Sequence, residues 1–119
     1  MSQVRVERIY TPASPEHGNR VLVDRLWPRG IRKDAAALDE WLPAVAPSNE
    51  LRTWFGHDPT RFDEFAKRYR QELTDPPRQA ALDELRGRAE AGALTLLTAT
   101  RDPSISHLAV LADILTAGR

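Results

Sequence analysis

Two short runs in this chain concentrate residues that could do chemistry. Asp24-Arg25-Leu26-Trp27-Pro28-Arg29-Gly30 gathers two guanidinium groups and a carboxylate around an indole. Arginine offers a planar fork to phosphate or carboxylate, and it stacks on indole. Trp54-Phe55-Gly56-His57-Asp58-Pro59 sets a histidine beside an aspartate, a pairing that suits a general base or a metal ligand. Thr100-Arg101-Asp102 and His107 add a third arginine, a carboxylate and an imidazole near the C-terminus. The candidate ligand-binding residues are Arg25, Trp27, Arg29, Arg101, Asp102 and His107. The candidate proton-moving residues are His57 and Asp24. Together they point to a small anionic ligand of phosphate, carboxylate or nucleotide-like character.

Each residue also has a structural reading. Asp24 and Arg25 could form a salt bridge at a strand end. Arg29-Gly30 could be an ordinary turn after Pro28. Asp58 suits a helix N-cap, and Trp54 and Phe55 suit the core face of the preceding helix. His17 lies in a loop and carries no signal. Three histidines this scattered give no metal-binding spacing, so no metal site is expected and no cofactor is specified. There is no nucleophile elbow, phosphate-cradling glycine loop or dinucleotide fingerprint. The chain has no cysteine, which excludes disulfides, thiolate nucleophiles and cysteine metal sites.

The elements that must position these residues can be read from periodicity. Val4 to Tyr10 begins with strict alternation and suits a strand. Val21-Leu22-Val23 is a short apolar run, as in a strand buried on both faces. Asp34 is expected to cap a helix carrying Leu38, Trp41 and Leu42 and ending at Pro43. Ser48 caps a short helix through Leu51, Trp54 and Phe55, stopped by Gly56. Asp58-Pro59 opens the clearest helix, with Phe62, Phe65, Ala66, Tyr69 and Leu73 on one stripe. Asp75-Pro76 opens another, with Leu82, Leu85 and Ala89 inward. Leu94 to Ala99 is a second candidate for a central strand. Asp102-Pro103 opens the last helix, with Leu108, Leu111, Ala112 and Leu115 inward.

Long helical crossovers between apolar strands imply a parallel sheet. The expected fold is α/β: a small, mainly parallel sheet of about three strands with helices packed on it. The alternative is a mostly helical domain with a minor sheet. In open α/β sheets, ligands bind outside the carboxyl ends of the strands. The strands ending near Val23 and Ala99 would then open onto one rim, collecting Arg25, Arg29, Arg101, Asp24, Asp102 and the start of the last helix.

Bulk properties bound the partners. The 119 residues suit a single domain spanning 1–119. Seventeen basic and seventeen acidic residues cancel, so no global field draws the chain to nucleic acid or membrane. No apolar run approaches the roughly 20 residues that span a bilayer. The N-terminus carries no signal-peptide pattern, and the expected compartment is the cytoplasm. Nothing in the sequence fixes an oligomeric state.

Arg8-Ile9-Tyr10, Ser14-Pro15, Arg20 to Gly30 and Trp54 to Pro59 together resemble the YeaO-like family of bacterial proteins, domain of unknown function 488. The likeness runs from about Val4 to Leu115. It implies a compact α/β domain and raises Arg25, Trp27, Arg29, His57 and Asp58 as signature residues. It implies no settled reaction. Members similar to this chain often carry Asp-x-x-His-Asn-His at the start of the last helix. Asp102 and His107 match that run, but Ile105 and Ser106 replace His and Asn. The departure shifts weight from a histidine-based metal mechanism toward arginine-based anion binding.

Three functional classes follow. One is a pocket for a small anion, enzymatic or not. The second is a non-catalytic module for nucleic acid or a protein partner, using Arg29, Arg32 and Lys33 beside Trp27. The third is a structural or adaptor role. Arginines on a rim, without a general basic excess, favour the pocket.

Overall fold

The computed structural model describes residues 4–117. Four strands form the sheet: β1 (Val4–Arg8), β2 (Asn19–Leu22), β3 (Glu40–Trp41) and β4 (Leu94–Thr98). Their order across the sheet is β1-β4-β2-β3, and every pairing is parallel. Four helices accompany them: α1 (Asn49–Phe55), α2 (Phe62–Glu72), α3 (Pro76–Ala91) and α4 (His107–Ala117). The expected α/β class holds, with four strands where about three were anticipated. Among the described residues, no helix is long and apolar enough to cross a membrane.

The continuous apolar runs explain the two central strands. Val21 and Val23 enter the large core with Phe55, Phe65, Tyr69, Leu85 and Leu111. Leu22 points the other way and joins Ile9 and Leu97. Alternate side chains leave opposite faces of a strand, so both faces of β2 must be covered. The second face is covered by Trp27, Ile31, Leu38 and Trp41 from the chain between β2 and α1.

That connection corrects one expectation. Asp34 does not begin a helix through Leu38, Trp41 and Leu42. It lies in a single 3-10 turn, Lys33–Ala35. Ala37 then adopts a positive φ of 53°, which a right-handed helix cannot continue through. The Asp39 amide donates to the Arg20 carbonyl and the Leu42 amide to the Leu22 carbonyl, so the segment pairs with β2 instead.

The Asp-Pro devices open turns that lead into helices. Asp58 caps the 3-10 turn Pro59–Arg61 by accepting from the Thr60 amide at 3.0 Å, and α2 begins at Phe62. Asp102 caps Pro103–Ile105 in the same way, and α4 begins only at His107. Asp75 stands at the N-cap of α3 without a capping hydrogen bond from its side chain. Ser48 does cap α1, accepting from the Leu51 amide at 3.1 Å. Its own hydroxyl donates to Glu72 of α2 at 2.5 Å, which ties the two helices together.

Candidate functional site

β2 and β4 are parallel neighbours, so their carboxyl ends open onto the same side of the sheet. A cleft of about 370 Å³ lies there. One wall is the segment Asp24 to Pro28 that leaves β2. A second is Ala46-Pro47 with Arg52, Thr53, Phe55 and His57 around α1. The remainder comes from Phe65, Ala99, Thr100, Ser106 and His107.

Asp24 is fixed by four groups. Its Oδ1 accepts from the Thr98 hydroxyl at 2.7 Å and lies 3.3 Å from His107 Nε2. Its Oδ2 accepts from the Ala99 amide at 2.8 Å. Its backbone carbonyl accepts from the Trp41 indole N–H at 2.8 Å. Burial acts to raise the Asp24 carboxyl, but His107, through its hydrogen bond and its proximity, and the hydrogen bonds of Ala99 and Thr98 outweigh it. The group is held below the ordinary carboxylate range.

His107 stands at the first position of α4. Its Nε2 faces two acceptors, the Val23 carbonyl at 3.1 Å and the Asp24 carboxylate at 3.3 Å. Two acceptors on one nitrogen assign the proton to Nε2. Nδ1 then remains as the ring's other polar atom. It has no protein partner among the described residues and is not buried. Tyr69 packs edge-on against the same ring, with centroids 6.2 Å apart.

His57 enters from the other side. It has a positive φ of 58° directly after Gly56 at 54°. Two successive left-handed residues turn the chain sharply after α1 and bring His57 to the cleft. A left-handed conformation costs a non-glycine residue roughly 1–2 kcal/mol. Asp58 does not orient this imidazole. Both its bonds to Thr60, at 3.0 and 2.7 Å, serve the turn, and they hold its carboxyl below the ordinary range.

Arg25 and Arg52 are the cleft's two guanidinium groups, and both are exposed. Arg52 donates to the neutral Asn49 side chain at 3.3 Å. Among the described residues, neither has a carboxylate partner within salt-bridge distance. Trp27 lines the cleft and donates its indole N–H to the Ile31 carbonyl at 2.7 Å. It meets Trp41 edge-to-face at 5.3 Å, with Lys33 Nζ 5.5 Å from the Trp27 ring centre.

Asp24, Arg25, Trp27, His57 and His107 thus share one cleft. Arg29, Arg101 and Asp102 are exposed and stand outside its lining. The Arg29 carbonyl accepts from the Tyr10 hydroxyl at 3.4 Å, and Asp102 accepts from Ser104. Arg52, Thr53, Thr100 and Ser106 line the cleft without having been singled out in the sequence. Arg52 was legible in principle, because it lies one turn before Phe55 on the same helical face. Ser106 is buried, and its hydroxyl accepts from the Leu108 amide at the start of α4. Among the described residues, no group of three or more histidines and carboxylates could hold a metal.

Comparison with known proteins places the chain. The family described as the inactive DUF488-N3 subclade matches it over residues 3–118. The chain belongs to this DUF488 subclade. An uncharacterized protein of Mycobacterium tuberculosis strain H37Rv is 53% identical over 114 residues, covering 96% of this chain and 94% of its own. The uncharacterized YeaO protein of Escherichia coli K12 is 39% identical over 112 residues, covering 94% and 96% respectively. The expected YeaO-like DUF488 membership therefore stands. No solved structure matches the chain.

Proposed function

We propose that the cleft binds a small anion, carrying phosphate or carboxylate, and does not turn it over. The observation that carries this reading is the charge balance of the lining. Arg25 and Arg52 have no carboxylate partner there, while Asp24, the one acidic residue of the lining, is engaged by Thr98, Ala99 and His107. A cleft with free cations and a satisfied carboxylate attracts negative charge. Its volume of about 370 Å³ falls within the roughly 300–1,000 Å³ common for small-molecule sites.

Several features favour binding over catalysis. Asp24 is held ionised below the usual range, which makes it a weak base. Ile105 and Ser106 stand where the YeaO-like resemblance often implies His and Asn, and the Ser106 hydroxyl is committed to backbone partners on both sides. The matching subclade is itself described as inactive. The alternative, a nucleic-acid module built on Arg29, Arg32 and Lys33, is less supported. Arg32 is paired with Asp34 at 3.0 Å, and Lys33 lies over Trp27 and Trp41.

Thermal unfolding with inorganic phosphate and simple dicarboxylates tests the reading. The wild type is stabilised in a concentration-dependent way, and the Arg25→Ala and Arg52→Ala variants lose most of that gain. One arginine contributes about 1.5–3 kcal/mol to a charge-assisted bond, so each variant weakens binding roughly tenfold or more. An absence of stabilisation by any such anion overturns the proposal. Steep weakening with salt, together with a preference for oligonucleotides, favours the nucleic-acid module instead.

A further inference from the structure

The cleft is chemically graded, and the grading describes the other end of the ligand. This step rests on the anion-binding reading above. The cations Arg25 and Arg52, without a carboxylate partner among the described residues, are exposed. The Asp24 and His107 side chains are only 16% and 11% exposed. Phe55 and Phe65, stacked with centroids 4.3 Å apart, are buried beside the cleft, and Trp27, Pro28 and Pro47 add further apolar lining. An inorganic anion would engage the cations and leave the remaining volume and the inner polar edge unused.

That inner edge consists of acceptors. An ionised carboxylate offers about four lone-pair sites. Among the described residues, the Asp24 carboxylate receives Thr98 and His107 on Oδ1 and only Ala99 on Oδ2. Oδ2 therefore keeps acceptor capacity. His107 spends its Nε2 proton on Asp24 and Val23, so in that tautomer Nδ1 is a second acceptor without a protein partner among the described residues. Two acceptors in a half-dry site favour a ligand with adjacent N–H donors and penalise one that presents carbonyl oxygens. The apolar lining of the same cleft, Phe55, Phe65, Trp27 and Pro47, suits a flat ring.

We propose that the cleft takes a guanine nucleoside monophosphate base-first. The phosphate lies on Arg25 and Arg52, the ring lies over the Phe55–Phe65–Pro47 surface, and the donor edge meets Asp24 and His107. Guanine presents a ring N–H beside an exocyclic amino group, which matches two acceptors. Uracil presents one N–H between two carbonyl oxygens, which does not.

Isothermal titration of the full chain with guanosine monophosphate, uridine monophosphate, ribose 5-phosphate and inorganic phosphate tests the assignment. Guanosine monophosphate binds at least about tenfold more tightly than ribose 5-phosphate, and uridine monophosphate falls near the sugar phosphate. The Asp24→Asn and His107→Gln variants narrow the guanosine–uridine difference. The comparison among ligands on the wild type stands even if a variant fails to fold. Equal binding of all four ligands overturns the base-first assignment and leaves the anion pocket intact. No binding by any of the four, inorganic phosphate included, removes both. A guanosine-containing oligonucleotide that binds more tightly than the monophosphate, with steep salt dependence, also overturns the assignment.

Discussion

His107 Nε2 lies 3.3 Å from Asp24 Oδ1, joining the first residue of α4 to the first residue after Val23 at the end of the central sheet. The contact spans 83 positions of sequence, and it sets both the charge of Asp24 and the tautomer of His107. Neither residue alone has the character the pair has.

The Asp24 carboxyl is depressed in the folded state, so the linkage sign is fixed. Its stabilisation is fully present above the unfolded pKa, about 3.9, and is lost as pH falls through the lower folded value. Asp24→Asn is expected to cost roughly 1–3 kcal/mol at pH 7, because Thr98 and Ala99 lose a charged acceptor. The difference between the variant and the wild type shrinks in strongly acidic solution. Urea unfolding at pH 7 and below about pH 3 measures both parts.

His57 has a left-handed backbone, which orders the substitutions there. His57→Gly should be more stable than His57→Ala by about 1 kcal/mol, the reverse of the order in ordinary backbone. Both variants should bind anions more weakly than the wild type. Chemical denaturation of the pair gives the order, and an alanine variant as stable as the glycine one contradicts the geometry.

Gly18 at the amino end of β2 has a φ of 61° and no room for a side chain. A Cβ there would lie 2.4 Å from the Ala93 carbonyl oxygen, which accepts from the Asn19 amide. Gly18→Ala is expected to destabilise by roughly 2–3 kcal/mol. Gly30→Ala, with φ 79° and nothing within 4 Å of its Cβ, is the control and should cost about 1 kcal/mol. Thermal melts of the two variants separate steric from conformational cost.

Trp41 acts on the cleft through the Asp24 backbone. Trp41→Phe removes the indole bond at 2.8 Å but keeps an aromatic ring beside Trp27. The expected loss is about 1 kcal/mol of stability. Anion affinity should fall as well, and calorimetric titration with phosphate reads that change.

Strong local patterns were legible in the sequence. Val21-Leu22-Val23 and Leu94 to Thr98 are continuous apolar or β-branched runs, and they became the inner strands. The α2 stripe was visible because Phe62, Phe65 and Tyr69 share one helical face. β3 was not visible, because two residues carry no alternation. Its chain was read as helix from Leu38, Trp41 and Leu42, and only the left-handed Ala37 and the pairing with Arg20 and Leu22 decide otherwise. The rule for sheet ends correctly brought the exits of β2 and β4 to one side. It could not tell that Arg29 and Arg101 stand outside the cleft or that Arg52 stands in it, because side-chain placement depends on how α1 packs.

Amide chemical-shift mapping during a titration with inorganic phosphate tests the anion pocket most directly. Shifts should concentrate at Asp24 to Trp27, Arg52 to His57, Ala99-Thr100 and Ser106-His107, and should vanish in the Arg25→Ala/Arg52→Ala double variant. A spectrum unmoved by phosphate, or shifts centred on Arg29, Arg32 and Lys33 that persist in the double variant, would contradict an anion pocket at the carboxyl ends of β2 and β4.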